Sequence, residues 1–486
     1  AGNNAGDAIA SGGNYNTVVG NEAGTAITTG DNNTAVGFEA LATEDAHGNN
    51  TAVGYRALKT LNAGAEGYNT AVGQDAGTAV TTGRYNTFMG AIAADSVTEG
   101  GRNTALGYGA LQTDTLGSRS TAVGFNALGT QNFTSATDNY NIGIGYDAGG
   151  AITTGVENTL IGALAGDAIL AAGSNTAIGY KALTSETGGQ NNVAIGKEAL
   201  EDQVNSSGNI YNTAVGTRAG ASITTGFQNT LIGTFAGGAS DDGNYNTAVG
   251  YAALSNGNAG NGNTAVGWVA GYSVTGINNT IVGQAAGYAV TSGGNNLLLG
   301  MDAGRTGSPG GNITSGSNEI ALGDENISSF SCQVSLTATS DERDKADFKD
   351  LDLGLDFVNA LKPVTYVWDK RANYIDKTDV TTYDEDGEIK HKGWDLTTDL
   401  DKITSDGSKK DDDLQVGFKA QDVIALEEAA GYKLSDKTNL TATVTKDGKQ
   451  YGLSYERFVP MLVKAIQELS AKNDALEARI KKLEDG

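Results

Sequence analysis

The stretch that decides the fold is NTAVGFEALATEDAHGNNTAVG, residues 33–54. It holds one full unit and the start of the next. The unit is NTAVG, two variable residues, an Ala, then Gly or Leu. It begins at Asn16 and recurs to Asn296 in 17 copies, mostly 17 residues apart, with Ser120 once replacing the leading Asn. Asn318 reads as the start of a degenerate last copy. The fourth residue is a sizeable aliphatic or Met (Val19, Val36, Met89, Leu106, on to Leu299), and the second is nearly always Thr or another β-branched residue. Such alternation predicts a short strand with one buried face, with the Thr turned to the interior or to a neighbouring chain. The fifth residue is always Gly, from Gly20 to Gly300, as a corner at positive φ requires. The Ala three residues later never varies (Ala23, Ala40, on to Ala303), which points to close backbone packing.

A 17-residue unit cannot bury a core alone, but stacked copies can, each pairing its strand with the next. At about 4.8 Å per strand, the copies make a stack on the order of 80 Å long. One coil per chain gives a thin core, so side-by-side association of chains is expected. A longer period overlies the first: Asn16 to Asn86 is 70 residues, Asn86 to Asn158 is 72, and Asn158 to Asn229 is 71. The long intervals of 19, 21 and 20 residues recur in phase before Asn69, Asn141 and Asn212, as do the variants TVV, TFM, TLI and TLI. Four coils therefore form a higher unit, which lapses after Asn246.

Composition agrees with this reading. Gly is 70 of 486 residues and Pro only 3, which suits tight turns between short strands and excludes collagen. The net charge is −25, with 25 acids and 9 bases up to Thr339 (−16) and 32 acids and 23 bases beyond it (−9). An acidic surface repels phosphate backbones, so nucleic acid is not an expected partner. No apolar run reaches the roughly 18 residues of a spanning helix, and no membrane insertion is expected. The chain opens at Ala1 in mid-repeat and reads as part of something longer. Cys332 is the only cysteine; no intrachain disulfide is possible, and it is expected to be a small buried residue. His47 reads as a surface loop residue. No His/Cys cluster has metal-ligand spacing, so neither metal nor cofactor is expected.

The repeat resembles the left-handed β-roll heads of trimeric autotransporter adhesins over residues 1–323. The texture changes at Glu319. ISSFSCQVSLTAT, residues 327–339, reads as strands within a connecting segment, 324–339, that joins the repeat to the C-terminal region. Leu353–Leu361 reads as a helix stopped by Pro363, Val364–Trp368 as a strand, residues 371–413 as a polar insertion with a turn at Asp386-Gly387, and QVGFKAQDVIALEEAA as a strand entering a helix. SDERDK at 340–345, LKPVTYVW at 361–368, GFKAQDV, and YERFVPMLVKAIQEL further on together resemble the endosialidase-type intramolecular chaperone, a self-cleaving serine peptidase family at the ends of phage tail spikes and fibres. The resemblance covers residues 340–486. It implies a homotrimeric folding clamp that cuts itself off before the motif's Ser: Ser340 is the nucleophile, Thr339–Ser340 the scissile bond, and Lys345 the base. Asp341 and Arg343 match family positions as accessory residues. His391, in the polar insertion, reads as an exposed surface histidine, with a proton shuttle as the alternative. The chemistry is sound in itself. The Ser hydroxyl attacks the preceding carbonyl, the acyl group moves from N to O, and water cleaves the ester; Lys345 serves as base only when neutral, which burial favours.

The last segment, with its helix expected over 455–483, carries heptads. Val459, Ile466, Asn473 and Ile480 are spaced by seven, and so are Leu462, Leu469, Leu476 and Leu483. Asn473 is placed to fix register. Ile and Leu in this order favour two strands, so the trimer follows from the resemblance, not from the heptads. The expected fold class is mainly β: a trimeric left-handed β-roll or β-solenoid fibre, then a small α+β chaperone domain ending in a coiled-coil helix.

The leading functional expectation is a virion tail fibre for host attachment, its chaperone released in the host cytoplasm during assembly. Its expected partners are a cell-surface receptor (a glycan or an outer-surface protein) and other tail proteins. Receptor-binding residues are not legible. Tyr251, Trp268 and Tyr272, read as exposed, are candidates either for stacking on sugars or for sealing chain interfaces. A bacterial surface adhesin using the same modules is the main alternative. A glycan depolymerase needs paired carboxylates in a groove, and residues 251–300 contain no acid. Ice binding by the Thr array is the fourth reading considered.

Overall fold

The computed structural model describes residues 2–333, 340–375, 379–383, 389–394, 399–445 and 447–486. The chain divides into two compact units, Ala1–Leu297 and Leu298–Gly486. In the first, every motif copy forms a three-residue strand, from Thr17–Val19 to Thr280–Val282. Successive copies pair in parallel and in register, Thr34 with Thr51, Ala35 with Ala52, Val36 with Val53. The result is a parallel β-solenoid with one motif per coil.

The corner glycines behave as expected. Gly37 has φ of +137°, and a Cβ there would lie 2.2 Å from the Gly54 carbonyl oxygen of the next coil. The invariant alanines are fully buried. The buried face is the reverse of the expected one. From the second copy on, the third residue of the motif (Ala35, Ala52, Phe88, Leu160) is buried, while the residues on either side are half-buried or exposed. Alternation shows that a strand has two unlike faces, but not which one faces the lumen. Here the small residue goes inside because the coil is narrow.

Asparagine, which the sequence reading used only as a marker, is what ties the coils together. The leading Asn is buried in the copies from Asn33 to Asn296. Its Oδ1 accepts the backbone N–H of the next Asn, as from Asn50 to Asn33 at 3.1 Å and from Asn103 to Asn86 at 2.9 Å, while its Nδ2 donates to a glycine carbonyl 14 residues on, as from Asn86 to Gly100 at 3.0 Å. Where Ser120 interrupts the ladder, Asn139 from the following long coil replaces it: its Oδ1 accepts from Ser120 Oγ at 2.8 Å and from the Asn141 N–H at 3.0 Å.

The four-coil period has two physical causes. The large in-phase residues Phe88, Leu160 and Leu231 fill the lumen, and glycines beside them make room: a Cβ on Gly77 would meet the Phe88 ring at 2.8 Å, and one on Gly149 would meet Leu160 at 2.7 Å. Elsewhere that position is a fully buried leucine at positive φ, such as Leu41, Leu58 or Leu111. Second, the lumen residue that is Ile27, Val80 or Ile152 in ordinary coils is Glu44, Asp114 or Glu186 in the coil before each long one, and all three acids are fully buried. They hold the extra residues. Asp114 Oδ1 accepts the N–H groups of Gly117 and Phe133, each at 3.1 Å, and Oδ2 accepts Gln131 Nε2 at 2.6 Å. Glu186 takes the N–H groups of Gly188, Gly189 and Asn205, and Gln203 Nε2 at 2.6 Å. Burial pushes the Glu44 and Asp114 carboxyls above the ordinary range, against the donors that lower them.

Two substitutions test these roles. Asp114→Leu, although leucine suits this lumen column, strands the buried Gly117 and Phe133 N–H groups at roughly 1–3 kcal/mol each. Amide exchange should accelerate at Gly117 and Phe133, and unchanged exchange would refute the role. Phe88→Ala should cost about 3–5 kcal/mol, measured by denaturant unfolding of the intact protein.

The second unit begins at Leu298, within the strand Leu297–Leu299 of the copy at Asn296, and includes Ile320–Leu322, the degenerate copy. The strand puts Glu319, not Asn318, at the Asn position; Asn318 (φ +61°) occupies the left-handed residue before it. Residues 327–333 contain no strand, contrary to expectation, and Cys332 is exposed. Then come α1 (Leu355–Ala360), β1 (Val364–Tyr366), β2 (Asp379–Tyr383), β3 (Ile389–Trp394), β4 (Gln415–Gly417), α2 (Ala420–Ala429), β5 (Ala442–Val444), β6 (Tyr451–Leu453) and α3 (Phe458–Glu484). β1 pairs with β4, β2 with β3 and β5 with β6, all antiparallel. The Asp386-Gly387 turn lies outside the described residues. The core is Leu353, Phe357, Val423, Phe458 and Met461, joining α1, α2 and the start of α3. Glu468 of α3 accepts the Leu355 N–H at 2.7 Å and so caps α1. A Cβ on Gly354 would lie 2.3 Å from that carboxylate, so a side chain there would displace the Glu468 cap.

Candidate functional site

SDERDK forms one tight turn. Asp341 caps the short 3-10 helix Glu342–Asp344, accepting the Arg343 N–H at 2.9 Å. The Arg343 guanidinium folds back on the same carboxylate, Nη2 to Oδ2 at 2.6 Å and Nε to Oδ1 at 3.0 Å. That bond holds the Asp341 carboxyl below its usual range and raises Arg343 further. Lys345 ends the turn, its N–H bonded to the Glu342 carbonyl. The turn brings its side chain back over five residues, so Nζ donates to Ser340 Oγ at 2.5 Å and to the Ser340 carbonyl at 3.4 Å. The nucleophile and base expected from the sequence are thus in hydrogen-bond contact, while the two accessory residues pair with each other and fix the turn. All four are exposed in the single chain.

The other expected site residues fall elsewhere. Thr339 lies outside the described residues. So does the side chain of His391, whose backbone is in β3. Asn473 is exposed on α3, and so is the whole heptad stripe: Val459, Leu462, Ile466, Leu469, Leu476, Ile480 and Leu483. The face of α3 that packs on its own domain is Phe458, Met461 and Ala465. Tyr272, expected to be exposed, is buried against Ala252, Val269 and Ala285, and its hydroxyl is pushed up to about 12, chiefly by burial. Tyr251, Trp268 and Tyr288 are partly buried around it. A run of small and apolar residues at 252, 269 and 285 replaces the charged residues of earlier coils, and that change was the available signal.

Two further features were not anticipated. Glu44, Asp45 and His47 bring ligand atoms within 4.8 Å of one another. The Glu44 carboxylate is nevertheless engaged by the N–H groups of Ala63 at 3.2 Å and His47 at 3.3 Å, as its structural role requires. His47 is half-buried, not a surface residue. In the second unit a cleft of about 480 Å³ is lined by Glu325, Trp368, Lys370, Arg371, Gln421 and Tyr451. Its cations are spent on carbonyls: Lys370 on Glu325, and Arg371 on Leu400 and Lys449. Ser340 and Lys345 do not line it. Among the described residues no helix is long and apolar enough to cross a membrane.

These observations define a class: a parallel β-solenoid repeat followed by a small α+β domain with a long terminal helix. Residues 340–432 match the peptidase S74 family model, described as the chaperone of endosialidase. The match begins at Ser340 and supports a self-cleaving chaperone domain in this part of the chain. Comparison with curated proteins and with solved structures gives no match.

Proposed function

We propose that the protein is a homotrimeric tail-fibre-type protein for host attachment, whose C-terminal domain guides folding and then cuts the Thr339–Ser340 bond. The observation that carries this reading is the Lys345–Ser340 contact at the first residue of the family match. In the neutral form of Lys345 the hydrogen bond reverses, and the amine takes the hydroxyl proton. Ser340 Oγ then bonds to the Thr339 carbonyl carbon, the C–N bond breaks, and the Ser340 nitrogen leaves as an amine. Water hydrolyses the resulting ester, restoring the hydroxyl and leaving a Thr339 carboxylate. Exposure in the single chain keeps Lys345 solvated, so assembly is the step that excludes water from the pair.

Association of chains is supported by the exposed heptad stripe of α3, whose opposite face is already used; the number three comes from the family resemblance and not from the heptads. Light scattering should give three chains per particle at micromolar concentration, and a folded monomer would refute it. Ile466→Asp, at the most exposed of the central heptad positions (66%), should abolish assembly and cleavage together, read by light scattering and intact mass. Cleavage by a monomeric Ile466→Asp chain would separate the two functions.

A further inference from the structure

We propose that the coils beginning at Asn229, Asn246, Asn263 and Asn279 carry a binding site for an uncharged saccharide, built on Phe235, Tyr251, Trp268 and Tyr288. The inference rests on the host-attachment reading above and adds the ligand class and its place. It starts from a change in one column of the solenoid. The second residue after the corner Gly is often charged in earlier coils, and its side chains pair along the stack. Arg56 lies 3.6 Å from Glu39 and 3.8 Å from Asp75, and Arg218 lies 3.4 Å from Glu198. The Arg56 side chain is 39% exposed, so this column meets water. In the four coils it becomes Phe235, Ala252, Val269 and Ala285, and no Asp, Glu, Lys, Arg or His stands between Asp242 and Asp302. A solvated ion-pair face has turned into a neutral aromatic one.

The rings are held in place before any ligand arrives. Tyr272 is buried on Ala252, Val269 and Ala285 and stacks on Tyr288 at 5.0 Å, while Phe235 and Tyr251 meet edge to face at 5.9 Å. Phe235, Tyr251, Trp268 and Tyr288 stay partly open to solvent around this floor. Fixed rings lose little freedom on binding, and the C–H face of a sugar ring stacks on an aromatic face. Sugar hydroxyls need neutral donors and acceptors beside it. The column just after the corner Gly supplies them, reading Thr234, Tyr251, Trp268, Gln284, with Gln284 exposed. Charge and size then select the ligand. Without a base in these coils, nothing offsets the desolvation of a carboxylate or sulfate. Four coils about 4.8 Å apart give a patch about 15 Å long and one or two rings wide, on the order of 200 Å². A protein partner needs about 800 Å² on each side; one to a few sugar rings do not.

The test places the full-length protein on an immobilised array of neutral and acidic oligosaccharides. Neutral members should retain it. Trp268→Ala should weaken that binding about tenfold or more, Trp268→Phe should restore most of it, and Glu39→Gln, in the same column of an earlier coil, should leave it unchanged. A second readout does not depend on how Trp268→Ala folds. With Trp368→Phe and Trp394→Phe, Trp268 is the only tryptophan left, and its emission should shift when the retained oligosaccharide is added. Retention by acidic members alone, retention by none, or an unchanged Trp268 emission with sugar bound overturns the inference. If the array retains nothing while the protein still attaches to bacterial cells whose glycans have been oxidised with periodate, the receptor is a protein: the saccharide site falls and the host-attachment reading stands.

Discussion

A chain ending at residue 339 is expected to aggregate when folded from denaturant, whereas the full chain gives soluble particles. The solenoid is made of near-identical coils: Thr34 pairs with Thr51 as Thr51 pairs with Thr70. A slip of one whole coil between chains preserves nearly every contact, so the repeat specifies register weakly. Its outer sheet also carries an uncharged aliphatic column that is half-buried or exposed in the single chain. The C-terminal unit lacks the register ambiguity. Its core of Leu353, Phe357, Val423, Phe458 and Met461 is unique in the chain, and α3 offers one polar heptad position, Asn473. A domain that associates first can set the register for the coils. Turbidity and light scattering of the two refolded chains decide it; soluble trimers from residues 1–339 would remove the chaperone role.

The second large effect is expected at Lys345. Lys345→Ala removes the only side chain that contacts Ser340 Oγ among the described residues, and general-base catalysis is worth about 10²–10⁴ in rate. Cleavage measured by intact mass over time should slow by that factor while assembly is unchanged. Lys345→Arg should fail as badly, because a guanidinium does not give up its proton. Cleavage of Lys345→Ala at the normal rate would assign the base to another group, with His391 the first to examine.

Much of this was legible in the sequence, for identifiable reasons. A motif repeated every 17 residues leaves little choice but stacked coils, and an unvarying Gly at the corner fixes where each coil turns. The Ser340–Lys345 pair came from the resemblance that SDERDK carries; the contact itself is local, five residues around a turn that Asp341 caps. The orientation of the strand was not. Thr-Ala-Val alternates either way round, and only the lumen's width shows that the Ala goes in. The roles of Glu44, Asp114 and Glu186 were hidden for a related reason. Acids in a repeat read as surface, and their partners are backbone N–H groups up to 19 residues away, which leave no trace in side-chain identity. Tyr272 was misjudged because its burial depends on what adjacent coils place at 252, 269 and 285.

The central claim is that the chain cuts itself at Ser340, and intact mass of the assembled protein tests it most directly. The unmodified protein should yield two fragments, residues 1–339 and 340–486, the second beginning with Ser340. Ser340→Ala, which removes the hydroxyl without adding bulk, should give one chain of 486 residues that still assembles. Cleavage of Ser340→Ala at the same bond, or an unmodified protein that assembles and stays whole, would contradict the account.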